Sequence, residues 1–153
     1  MKKRILLLSI VLVSFTAFSF AADVPASISK SVITSFNKQF SNARDVQWEN
    51  QVNFVKAQFT INEMVLYAYF DKGGDLIAVT RFISPNQLPL TLVTSLKKQY
   101  TNGYWVSDLF EIETEAGTSY YATLQSADQT IVLKSDGISG WSTFQKEKKE
   151  HAE

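Results

Sequence analysis

Few residues in this chain are of a type that does chemistry. Its 153 residues include no cysteine and one histidine, His151. That imidazole sits among Lys and Glu with nothing to position it for proton transfer, and a structural zinc site wants four Cys or His ligands. Serines are numerous, but none stands in a Gly-x-Ser-x-Gly elbow and no histidine base accompanies one. No Gly-rich phosphate loop or dinucleotide fingerprint occurs. Asp71 and Asp75 flank Lys72-Gly73-Gly74, and Asp136 precedes Gly137. Asp at such places bonds its own backbone in a turn, and the first run offers too few alternating oxygens for calcium. No Asp/Glu pair can be put at glycosidase spacing. The expectation is a non-catalytic protein with no metal ligand and no cofactor.

The residue types that remain are those of recognition. If Leu66, Ala68 and Phe70 of one strand face the core, alternation turns Val65, Tyr67 and Tyr69 the other way. Carried along the neighbouring strands, the same alternation adds Phe54, Trp105, Leu109 and Tyr121 to that outer face. It sends Val55, Ala57, Phe59, Val106, Phe110, Tyr120, Ala122 and Leu124 inward. Glu111, Glu113 and Glu115 form an acidic row, read either as a solvated strand face or as a stripe that steers a basic partner. Exposed Tyr and Trp side chains are enriched in binding hot spots. The expected binding set is therefore Phe54, Tyr67, Tyr69, Trp105, Leu109 and Tyr121, with Glu111 and Glu113 at the rim.

The elements that hold these side chains occur twice. Thr34-Ser35-Phe36-Asn37-Lys38-Gln39-Phe40-Ser41-Asn42 returns sixty residues later as Thr94-Ser95-Leu96-Lys97-Lys98-Gln99-Tyr100-Thr101-Asn102. Pro25 meets Pro85 and Val46 meets Val106 at the same offset. A repeat of this length marks a duplicated supersecondary unit. Ile28, Val32, Ile33, Phe36 and Phe40 share one helical stripe, as do Leu88, Leu92, Val93, Leu96 and Tyr100. Pro89 would fall in the second turn of the later helix, so that helix is expected to begin nearer Leu88. Four strands follow each helix, rich in aromatic and β-branched residues and punctuated by Asp-Gly turns. The offset drifts to about sixty-five across Glu115 to Ser119, predicting a lengthened hairpin. The fold class is α+β: two tandem α-β-β-β-β units, residues 24–83 and 84–144, making one antiparallel sheet with both helices on one face. Residues 145–153, rich in Lys and Glu, are expected to be a solvated tail.

Residues 1–21 read as an export signal. Lys2, Lys3 and Arg4 precede an apolar run from Ile5 to Phe18, and Ser19-Phe20-Ala21 supplies the small residues a signal peptidase needs. The run is short of the ~20 residues of a membrane span, so the membrane is expected to be touched only before cleavage after Ala21, with an uncleaved N-terminal anchor as the alternative. Removing it leaves residues 22–153, with 12 basic residues against 15 acidic ones. A mildly acidic chain lacks the phosphate-neutralising charge that nucleic acid requires. Without cysteine it cannot use disulfides in an oxidising compartment, and its stability must rest on burial.

The order of motifs carries a family resemblance. Phe40-Ser41-Asn42-Ala43 runs into Val46-x-Trp48, then Val55-x-Ala57-x-Phe59, then Ala68-x-Phe70-Asp71-x-x-Gly74. Over about residues 24–144 the chain resembles the PepSY-like, β-lactamase-inhibitor-like proteins of the bacterial envelope. The second unit departs from the pattern, with Asp108 in place of Trp48 and Leu124 in place of a strand aromatic. The resemblance implies two tandem α/β units sharing a sheet in an exported protein. Inhibition of a β-lactamase does not follow from a fold. The expected function is recognition of an envelope protein or peptide in the periplasm through the helix-free sheet face. A carrier or sensor of a small ligand, bound in a cleft between the repeats, is the alternative.

Overall fold

A computed structural model describes residues 27–100 and 103–149. The expected leader and His151 lie outside those residues. The chain runs α1 (Lys30–Gln39), β1 (Arg44–Asn50), β2 (Val55–Ile61), β3 (Met64–Phe70) and β4 (Leu76–Phe82), then α2 (Leu90–Tyr100), β5 (Trp105–Thr114), β6 (Gly117–Gln125), β7 (Gln129–Ser135) and β8 (Ser142–Lys148). The eight strands form one antiparallel sheet in chain order. Each strand therefore lies beside its sequence neighbour, the simplest of connections.

Both helices cover the same face. Val32 and Phe36 of α1 pack on Val55, Ala57, Phe59, Ala68 and Phe70, with Ile28 ahead of the helix closing one end. This core is aromatic: Phe36 lies 5.0 Å from Trp48, 5.0 Å from Phe59 and 6.3 Å from Phe70 between ring centroids. The second core is aliphatic, with Leu88 and Leu92 against Leu109, Ala122, Leu124, Ile131 and Leu133. Each large side chain buried in this way contributes roughly 1.5–3 kcal/mol.

The ends of α1 and α2 are built differently. Ser29 caps α1, its hydroxyl accepting the Val32 N–H at 3.4 Å. Before α2 a short 3-10 turn, Pro85–Gln87, replaces the first helical turn. The helix then starts at Leu90, with the Pro89 carbonyl accepting from Leu92 and Val93. Pro89 thus stands just outside the helix, where its missing N–H is not required. Gly74, at φ +105°, lets the β3–β4 turn touch α1: a Cβ there would lie 2.9 Å from the Ser31 carbonyl carbon. In the second half the Trp141 indole N–H donates to the Leu92 carbonyl at 3.0 Å and ties the β7–β8 loop to α2.

The lengthened hairpin is built in its strands: Thr114 pairs with Gly117 across a two-residue turn, and β5 and β6 run longer than β1 and β2. Two expectations are corrected. Gln145 to Lys148 is not a tail, because these residues pair with Gln129 to Val132 as most of β8. Its Lys and Glu side chains are all exposed, a composition that discourages further strands from adding to a sheet edge. The second concerns β5. Val106 pairs with Leu124 and Asp108 with Thr123, so Ser107 is an extra residue in a β-bulge. A bulge reverses the alternation beyond it. Phe110, expected in the core, points to the helix-free face, and Leu109, expected on that face, is 5% exposed in the second core.

Candidate functional site

The helix-free face is the candidate site, and strand alternation builds it. Ala57, Phe59, Ala68 and Phe70 point to the helices, so Lys56, Tyr67 and Tyr69 point away. Ala68 pairs with Val79, which puts Thr80 and Phe82 beside Tyr67 on the open side. Phe82 pairs with Phe110, and Phe110 with Tyr121. A row of rings results. Centroid distances run 6.3 Å from Tyr67 to Phe82, 6.2 Å on to Phe110, 5.1 Å to Tyr121 and 5.5 Å to Phe144. Phe110 and Tyr121 are stacked within 3° of parallel, whereas Tyr121 and Phe144 meet edge to face at 87°. Phe82 and Phe144 stay 63% and 61% exposed, so the row is open to solvent. Phe54 joins the face through Tyr69 at 5.7 Å.

Of the eight residues expected here, Phe54, Tyr67, Tyr69, Trp105 and Tyr121 lie on the open face. Trp105 stands apart from the row, further along β5 beside Gln125, with the Lys149 ammonium 5.4 Å from its ring centroid. Leu109, Glu111 and Glu113 do not join them. The Ser107 bulge turns all three to the helix side, where Glu111 is paired with Arg81 and Glu113 stands opposite Val79. The acidic row therefore cannot rim the open face. Sequence reasoning missed Phe82, Phe110, Ile112 and Phe144. Phe82 was legible as the even partner of Ala78 and Thr80 in β4, whereas Phe110 and Ile112 required the bulge.

Two lysines approach rings of the row on the open face. Lys56 Nζ lies 5.3 Å from the Tyr67 centroid and Lys134 Nζ 5.5 Å from that of Tyr121, within range of cation–π attraction. Lys56 also bonds the Glu49 carboxylate at 3.0 Å. That bond holds the Lys56 ammonium above the ordinary lysine pKa and the Glu49 carboxyl below the ordinary carboxylate value. Phe54, Lys56, Tyr67, Tyr69, Phe82 and Phe110 border a shallow bowl of about 590 Å³.

The opposite face holds a cleft of about 1050 Å³ between the end of α1 and the β5–β6 turn, bordered by Phe40, Asp75, Leu76, Glu113 and Glu115. The turn aspartates bond backbone. Asp71 accepts from the Gly74 and Asp75 N–H groups at 2.7 and 2.8 Å, and Asp136 from Ile138 and Ser139 at 2.9 and 2.7 Å. Among the described residues no group of three His, Asp or Glu is placed to hold a metal ion. Among the same residues no helix is long and apolar enough to cross a membrane.

No protein-family model and no curated protein matches the sequence. Solved structures do. A BLIP-like protein of Bacteroides fragilis NCTC 9343 superposes with a TM-score of 0.68 at 18% identity, covering 82% of this chain and 89% of that one. A DUF2874 family protein of Bacteroides ovatus ATCC 8483 gives 0.69 at 15% identity over 82% and 89%. A candidate periplasmic protein of Bacteroides eggerthii DSM 20697 gives 0.68 at 10% identity over 78% and 88%. At such identities the likeness is one of fold: this chain, two helices on one antiparallel sheet, is similar in architecture to BLIP-like and DUF2874 proteins over most of its length.

Proposed function

We propose that this chain is a non-catalytic binding module of the bacterial periplasm, of PepSY-like kind, that docks a protein or peptide on the open face of its sheet. In this reading residues 1–21 are the export signal and the two α-β-β-β-β units arose by tandem duplication. The observation that carries it is the ring row from Tyr67 through Phe82, Phe110 and Tyr121 to Phe144. Contiguous exposed apolar surface of this kind marks interaction sites, and aromatic residues are enriched at interface cores. Phe110 and Tyr121 stack on each other. That arrangement suits side chains fitting between ring edges better than a sugar lying on a free ring face.

The test is capture from an envelope extract by the wild-type chain and by Phe82→Ala and Phe110→Ala variants. Capture of a specific partner should fall at least tenfold in both variants, while the Phe82→Ala melting temperature stays close to wild type because that ring is 63% exposed. Undiminished capture by both variants would refute the assignment. A second reading, a carrier of a small cationic ligand, is favoured by the acidic cleft beside Asp75, Glu113 and Glu115. Its signature would be a thermal shift with polyamines that the Phe82 and Phe110 variants leave intact.

A further inference from the structure

We infer that the partner of the open face presents carboxylates at both ends of an apolar strip; the inference rests on the docking role proposed for that face. The ring row crosses from β3 to β8, five inter-strand steps or roughly 24 Å at about 4.8 Å each. A small ligand covers only part of that length, whereas an extended segment of about eight residues at ~3.3 Å each spans it. One ammonium stands beside the first ring and another beside the fourth, with Phe144 beyond it. Lys56 lies over Tyr67 and Lys134 over Tyr121, on β2 and β7, which are again five strands apart.

Between these lysines the open face is uncharged along the row, from Tyr67 through Phe82 and Phe110 to Tyr121. Asp108 lies further along β5 on the Trp105 side, bonded by the Ser107 hydroxyl at 2.9 Å. Glu147 of β8 lies beyond Lys134, opposite Thr130. Lys56 shares its charge with Glu49, an exposed pair of the kind that exchanges readily with an incoming carboxylate.

Complementary charge at the ends of an apolar strip fixes the register of a partner and steers its approach. A second copy of this chain is the poorer occupant. A two-fold pairing that lays one row along the other sets lysine against lysine, either Lys56 on Lys56 or Lys56 on Lys134.

The test uses the full chain and three synthetic octapeptides that alternate Leu or Phe with Thr and end in Glu, Gln or Lys at both termini. The Glu-ended peptide should bind at least tenfold tighter than the Gln-ended one, with the Lys-ended one weakest. The difference should shrink as salt shortens the Debye length from about 10 Å at 0.1 M to about 3 Å at 1 M. The double variant Lys56→Glu with Lys134→Glu should invert the order, and Lys56→Gln with Lys134→Gln should flatten it while folding is followed by circular dichroism. Equal binding of all three peptides, lost in Phe110→Ala, would overturn the charge inference and leave the docking face standing. Binding of none, or binding indifferent to Phe110→Ala, would overturn both. An open-face dimer by sedimentation that Phe110→Ala dissolves would assign the face to a second copy instead.

Discussion

Asp136 shows how one side chain ties local geometry to solution behaviour. Its carboxylate accepts from the Ser139 and Ile138 backbone N–H groups and from the Ser139 hydroxyl, and these bonds lower its pKa from 3.8 to about 2. A carboxyl depressed in the folded state stabilises the fold above its unfolded pKa. That contribution is lost as pH falls from about 3.8 through about 2. Asp136→Asn keeps the turn geometry and removes the charge. The variant should therefore unfold at lower urea than wild type at neutral pH, with the two midpoints converging as pH approaches about 2. A gap that persists unchanged at the lowest pH would mean that the charge does not matter. The turn role of Asp71 and Asp136 was legible because Asp just ahead of glycine in a turn has a local mechanism that needs no tertiary information.

Among the elements, β5 decides the chemistry of both faces. Strict alternation from Trp105 onward would turn Leu109, Glu111 and Glu113 to the open side and Phe110 inward. The extra residue at Ser107 reverses every one of these. Deleting Ser107 should force either Leu109 out of the second core or Trp105 and Val106 to exchange faces. The expected loss is roughly 2–5 kcal/mol of unfolding free energy, the range for emptying a core leucine site. Ser107→Ala preserves the residue count and removes only surface bonds from the hydroxyl, so it should lose less than about 1.5 kcal/mol. Urea denaturation of the two variants separates register from side chain. This strand also marks where the sequence stops being readable. The stripes of α1 and α2 were legible because a 3.6-residue period leaves a repeated mark, and β2 and β3 because their registers are unbroken across the two-residue turn Asn62–Glu63. A bulge leaves no such mark: Val-Ser-Asp reads as plain alternation, and only the partner strand reveals the extra residue. β8 was hidden for a different reason. An edge strand protected by charge has the composition of a tail.

At the scale of the whole molecule, one sheet carries two separate cores. Phe36, Phe59 and Phe70 centre the first, and Leu92, Leu124 and Leu133 the second. They meet along β4 and β5, where Val79–Phe82 pairs with Phe110–Glu113 and the Ile83 N–H donates to the Leu109 carbonyl at 2.9 Å. That seam carries the Arg81–Glu111 ion pair on the helix side and the Phe82–Phe110 ring contact at 6.2 Å on the other. It is a short ladder beside the β5–β6 pairing, which runs from Trp105 to Thr114. Units joined so narrowly open with different free energies, in the manner of cooperative sub-domains. Phe36→Ala empties the centre of the first core and should remove about 3–5 kcal/mol there. Native-state hydrogen exchange should then show amides of β2 and β3 losing protection by that amount while those of β6 and β7 keep most of theirs. The ring row crosses the seam, so its two ends would be held in one plane only while both cores stand. In Phe36→Ala a bound octapeptide spanning Lys56 to Lys134 should therefore restore protection in β2 and β3, because binding across the seam couples the weakened unit to the intact one. Equal loss of protection in all eight strands would instead describe a single cooperative core.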